Sequence, residues 1–477
     1  MVNRRRRRGV AQVAPLGPRK QGCFSHRHRI IPIMVASAAF EAVVAATRFG
    51  YAARGDELSG IAADPRGWVL RQIDQPIQPA FPADLPPSQR MVAALLQMRR
   101  DKQQADRKAF NDQVRDVYLA ELSARTNAAV SSPTPVIERL VHFWSNHFTV
   151  SGFRPFVRGF AFAFEREAIR PHVTGRFVDM LLAAERHPAM LLYLDNALSI
   201  GPDSIVGQRR DKGINENFGR EMLELHTLGV DGGYTQADVI ALARILTGWS
   251  IARLNDAEPG TFKFYPQIHE PGPKQLLGKI YVEAGEQEGI AALRDLANHP
   301  ATARHIAFKL AQHFIADAPP HAAVDQIAKV FRDTGGNLAA VSKAVVVLEA
   351  AWSKPFDKMR TPGDMVVAAC RATNFTPPAP MLAGGLRTLN QLPFYAPSPA
   401  GWPDDAASWV SPEAVLHRAE WCETFANRIP GPPDPLLLAS ANLGEALSAD
   451  TLQAIRRAPS RRAGVALLLA APEFQRR

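Results

Sequence analysis

Three cysteines among 477 residues, Cys23, Cys370 and Cys422, stand too far apart for a metal-ligand spacing. They exclude a disulfide framework and a zinc ribbon and fit a reducing compartment. No apolar segment reaches the roughly 18 residues of a membrane helix. The apolar stretch after Arg29 begins at Ile30, turns to small residues after Val35 and is broken by Glu41. It falls short of the roughly 7–15 residues of a signal h-region. A cytoplasmic location is therefore expected, with the periplasm as the alternative. His-Glu-x-x-His, a phosphate-binding P-loop, a Gly-x-Ser-x-Gly elbow and a dinucleotide-binding glycine pattern are all missing.

Charge of one sign is also scarce once it is located. The formal net charge is +10, but residues 1–33 hold nine Lys/Arg and no acid. The remainder carries 47 basic against 46 acidic residues, a net of +1. A nucleic-acid-binding body would carry its own basic stripe, so that class is disfavoured. Residues 1–35 read as a disordered basic extension, with Met34 as the expected start. Residues 36–477 read as one large helical domain.

Apolar residues recur at three- and four-residue spacing along most of the chain, punctuated by Pro, Gly and capping residues. The expected fold is mainly α, a large single-domain helical bundle with a small two-stranded β-hairpin insertion near 260–285. There Thr261-Phe-Lys-Phe-Tyr265 and Lys279-Ile-Tyr-Val-Glu283 each alternate as half-buried strands do. A polar helix is expected over 88–126. Thr134-Pro135 reads as a capping hydroxyl followed by a first-turn proline, opening a helix over 135–149. Other helices are expected at 155–170, 215–228, 235–248 and 441–457. Thr235 and Asp238 form an N-terminal capping pattern.

Two helices concentrate chemistry. On 215–228, at about 100° per residue, Asn217, Arg220, Glu221, Glu224 and Thr227 share one face. Two carboxylates three residues apart can ligate a hard metal or hold their pKa values apart for acid–base work. The alternative is an ion network with Arg220 or Arg244. His226 falls with Met222 and Leu223, where a hydrogen-bonded core histidine is the simpler reading. On 135–149, Glu138, His142, Ser145, Asn146 and Thr149 share a face, while His147 sits with Leu140 and Phe143. Glu138 and His142 are spaced to chelate if another helix adds ligands. The candidate catalytic residues are His147, Glu221, Glu224 and His226. Asn146, Asn217, Trp249 and His269 are candidate substrate-binding residues. A divalent metal is the one cofactor considered. The loop at 393–409, with its prolines and large aromatics, either plugs the helical core or walls a pocket.

The stretch Asn215-Glu-Asn-Phe-Gly-Arg-Glu-Met-Leu-Glu-Leu-His-Thr-Leu-Gly229, continuing to Ala243-Arg-Ile-Leu-Thr-Gly-Trp249, resembles the central signature of the bacterial family catalogued as domain of unknown function 1800. Phe143-Trp-Ser-Asn-His147, His187-Pro-Ala, His299-Pro-Ala and Pro397-Ser-Pro-Ala-Gly-Trp402-Pro403 extend the resemblance over about 38–428. Where that pattern tends to show His-Asp, this chain has His269-Glu270. The resemblance implies a mostly helical protein without an established activity. It also implies a protein partner, an exported member of the family of domain of unknown function 1501. The expected function is that of an accessory or binding protein of the bacterial cell. The alternative is a metal-assisted or carboxylate-dependent hydrolase with its site between helices 135–149 and 215–228.

Overall fold

Ser, Thr, Asp and Pro set the helix boundaries. The pairs Thr361/Pro362, Ser411/Pro412 and Asp434/Pro435 each place a side-chain acceptor before a first-turn proline, and each accepts an early backbone N–H. His187 and His299 do the same with an imidazole. Their Nδ1 atoms accept the N–H of Ala189 at 3.1 Å and of Ala301 at 3.2 Å. The recurring His-Pro-Ala is thus a capping device used twice. Thr235 and Asp238 form the expected capping box ahead of helix Gln236–Ile245. Thr134 does not cap its helix. Its hydroxyl donates to the Ile77 carbonyl at 3.2 Å instead, and proline alone opens Pro135–His147.

The computed structural model describes residues 37–101, 104–210 and 213–477, so the readings of the basic 1–35 segment, Met34 and Cys23 lie outside the described residues. The chain is mainly α: 63% helical, with 23 α-helices and two two-stranded sheets among the described residues. Residues Ser37–Arg477 form one compact unit. The polar stretch expected as one helix is described as Ser88–Asp101 and Gln104–Ser131. The helix expected over 441–457 is two, Pro435–Leu443 and Ala449–Arg456. Gly444, with φ +46°, ends the first, and Ser448 caps the second. The stretch 155–170 breaks into short turns, among them a π-turn over Glu165–Ile169.

The hairpin near 260–285 is Lys274–Leu276 against Lys279–Tyr281, antiparallel across a two-residue turn. Leu277 and Gly278 both have positive φ, the geometry that such tight turns require. The alternating segment around Phe262–Phe264 pairs elsewhere, with Trp249–Ile251. Trp249 is fully buried, and Gly289 gives it room: a Cβ there would lie 2.6 Å from the indole.

The core is apolar but threaded by buried charge. Arg48, Arg139, Arg360, Arg371 and Arg477 are all under 2% exposed. Removing a guanidinium from water is costly unless its donors are matched, and of these five only Arg371 has no unpartnered donor among the described residues. It donates to the carbonyls of Ala52, Val130 and Ser132 and reaches Glu57.

Candidate functional site

Helix Pro135–His147 is buried on nearly every side, and each polar residue on it meets a different partner. Glu138 takes a bidentate bond from Arg170, at 2.6 and 2.9 Å. Arg139 donates to Gly50 O at 2.6 Å and to Asp364 at 2.8 Å. The Tyr51 hydroxyl, which burial keeps protonated, bonds His142 Nδ1 at 2.5 Å. Glu138 and His142 therefore do not share a ligand, contrary to what their spacing suggests. Asn146 grips the backbone of Trp402 at two points: Nδ2 donates to its carbonyl at 2.9 Å and Oδ1 accepts its N–H at 2.8 Å.

The second motif helix departs from regular geometry. Asn217–Glu221 is α-helical, but Met222–His226 is a π-turn. The extra residue in that turn rotates everything beyond it. Thr227, expected on the polar face, is fully buried and donates to Met222 O at 2.7 Å. His226 is also fully buried, with Nδ1 2.7 Å from Glu185 Oε1. Two histidines from elsewhere satisfy the last carbonyls of the turn. His147 Nε2 donates to His226 O at 3.2 Å, and His305 Nε2 donates to Leu225 O at 3.0 Å. The two motif helices thus meet at His147 and His226, with ring centroids 6.3 Å apart.

The carboxylates are partly exposed. Glu224 pairs with Arg220 at 3.5 Å, as the ion-network alternative holds, whereas Arg244 pairs with Glu270 at 3.7 Å. Glu221 has no ion pair among the described residues. Burial raises its pKa, and Glu224 adds to the rise against the pull of His226 and Arg220. The remaining candidates lie in other contact networks. The Asn217 N–H is capped by Asn215 at 2.9 Å. Trp249 belongs to the strand pair. His269 Nδ1 donates to Thr247 O at 2.8 Å, while its Nε2 lies 3.0 Å from Glu288, a carboxylate that Lys274 also reaches. The structure therefore joins His147 to His226 but does not gather all eight candidates at one centre.

Asn146 and His147 also border a cavity of about 130 Å³. Its wall draws on helices Gln104–Ser131, Pro135–His147, Pro300–Phe314 and Pro362–Thr373 and on residues 391–404. The proline-rich loop is thus a wall. Besides the Asn146 grip, Gly152 N–H donates to Phe394 O at 2.7 Å and Ser151 Oγ to Ala396 O at 2.8 Å. Polar groups converge on this space: Arg125, Arg139, His142, Lys309, Asp364 and Asp404 among them. Asp364 is held down at about 2, because Arg139 and Arg477 outweigh its burial. Asp404 accepts from His313, and Arg477 reaches it at 3.2 Å; together with Lys358 they hold its carboxyl well below the usual range against burial. Burial pushes His313 down to about 4 despite Asp404, and keeps His142 and His147 well below their ordinary value.

Most of these residues carry no signal in the sequence. Arg125, Lys309, His313 and Asp364 stand in amphipathic stretches with no motif around them. Asp404 lies in the aromatic loop, where Trp402 and the prolines dominate the local pattern. Among the described residues, no group of three or more His, Cys, Asp or Glu is arranged to hold a metal ion. No helix among them is long and apolar enough to cross a membrane.

No curated protein and no solved structure matches the chain. A family model does: the one described as Protein of unknown function (DUF1800) matches residues 44–476, taking in both motif helices, the aromatic loop and every wall of the cavity. The chain belongs to the DUF1800 family.

Proposed function

We propose that the protein is a binding protein whose ligand occupies the cavity beside helix Pro135–His147. One observation carries this reading: two buried donors on the cavity wall go unused beside an open space that a ligand could fill. Arg139 Nη2 and His142 Nε2 are buried without a partner among the described residues. Leaving a buried donor unmet costs roughly 1–3 kcal/mol, and a small polar occupant would offset that cost. The test is a thermal-shift screen of small polar molecules against the full chain. Dose-dependent stabilisation supports the reading, and a screen in which nothing stabilises it contradicts it.

An accessory role with an exported member of the domain of unknown function 1501 family is the second part of this proposal, and it rests on the resemblance. Co-purification of tagged protein from the native host tests it, and fractionation of the same cells tests the cytoplasmic location against the periplasmic one. The hydrolase reading keeps one specific support, the half-buried Glu221 with its raised pKa and no ion pair among the described residues. It requires Glu221→Gln to lose a measured hydrolysis while melting like the wild type.

A further inference from the structure

The cavity wall carries three cationic side chains, Arg125, Arg139 and Lys309, and two carboxylates, Asp364 and Asp404. Both carboxylates are taken. Asp364 receives Arg139 at 2.8 Å and Arg477 at 3.5 Å, while Asp404 receives His313, Arg477 and Lys358. Arg125 meets Glu165 through Nε at 2.8 Å, and its two Nη groups have no hydrogen-bond partner among the described residues. Lys309 differs from every other cation of the wall. Its Nζ has no hydrogen bond and no carboxylate within ion-pair distance among the described residues. Burial lowers its pKa, with only the more distant charge of Asp404 opposing. The histidines of the wall are neutral near pH 7, so the unmatched charge is positive.

The wall also holds apolar side chains, among them Phe143, Val367 and Leu386, beside neutral polar ones such as Ser145, Asn146 and Gln391. An ammonium without a partner among the described residues, in a cavity that also presents apolar side chains, suits a ligand with one anionic end and one apolar end. The volume sets its size. A cavity of about 150 Å³ lined by Leu, Ile and Phe holds benzene, so about 130 Å³ accepts some six non-hydrogen atoms.

We infer that the cavity takes a short monocarboxylate, its carboxylate set against Lys309 and its chain against the apolar side chains of the wall. This rests on the binding reading above and supplies its ligand class. Inorganic phosphate fits less well: its second charge would face Asp364 and Asp404, and it leaves the apolar wall without a partner.

The test compares butyrate, butyramide and phosphate at matched ionic strength by thermal shift, using the full chain and its Lys309→Met and Lys309→Arg variants. Butyrate should raise the wild-type Tm with concentration, as ligation of the folded state requires, and butyramide should not. Lys309→Met should melt at or above the wild-type temperature without ligand, since it removes an unmatched charge, and should lose at least tenfold in butyrate affinity. Lys309→Arg should keep part of the response. Equal shifts from butyrate and butyramide, or a shift from phosphate alone, would overturn the inference and leave the binding reading standing. A Lys309→Met variant that answers butyrate like the wild type overturns it as well. No shift from any small polar molecule brings down both. Should Lys309→Met fail to fold, the butyrate–butyramide comparison on the wild type decides alone.

Discussion

Single residues show how differently two similar carboxylate readings can end. Glu138 is fully buried and bidentate to Arg170, so its charge holds the fold together. Glu221 is half-buried with a raised pKa and no ion pair among the described residues. A carboxyl whose pKa rises on folding is more costly to keep ionised in the folded state than in the unfolded one. Glu221→Gln should therefore unfold in urea within about 0.5 kcal/mol of the wild type, or above it. A loss of several kcal/mol would show that Glu221 anchors the helix after all. Local chemistry of this kind was partly legible in the sequence. The capping pair Thr235 and Asp238 needs only neighbours in the chain, and it stands as read. Arg139 needs Asp364, 225 positions away, and no local pattern announces that pair.

At the level of elements, the π-turn over Met222–His226 explains the main misreading. A regular 100° step places Thr227 beside Glu224, but one inserted residue turns it into the core and points the motif's last carbonyls at His147 and His305. Nothing in the residue types of 222–226 separates that turn from an ordinary helix. The aromatic loop was more legible: its prolines and tryptophans marked it as either plug or wall, and only its partners decide between the two. Gly401 fixes how closely it approaches. It has φ +81°, and a Cβ there would sit 2.5 Å from Asn146 O. Gly401→Ala should cost about 2–4 kcal/mol, from left-handed strain plus overpacking. Gly384 offers the opposite case, in helix Ala379–Thr388 with nothing within 4 Å of a new Cβ. Gly384→Ala should stabilise by about 0.5–1 kcal/mol. Urea unfolding of the two variants should give opposite signs, and like signs would contradict the packing described for the loop.

For the whole molecule, the fold class and family were open to a reader of the sequence, because helical periodicity and a long ordered signature are both written locally. The family match reaches residue 476, beyond the stretch near 428 where the resemblance was legible, so the C-terminal helices belong to the same unit of descent. The interior charges were not legible, and they set how the molecule responds to acid. His305 and His313 are pushed down to about 4 by burial, and His142 and His147 also lie well below 6.5. Between pH 6.5 and 4 the unfolded chain binds protons that the folded one refuses, so stability falls as pH falls. His313 alone should remove about 2 kcal/mol by pH 5. Asp364, held at about 2, adds a further loss between roughly pH 4 and 2, where its unfolded carboxyl is already protonated. The urea midpoint should drop steeply from pH 7 to pH 5, and a flat profile would mean that these histidines are solvated.

The most direct measurement is a crystal structure of the protein soaked in butyrate. The account predicts density for a carboxylate within hydrogen-bond distance of Lys309 Nζ, its chain turned toward Phe143 and Leu386. Density for water alone in the cavity, or for butyrate bound instead beside Glu221 and Glu224, would contradict it.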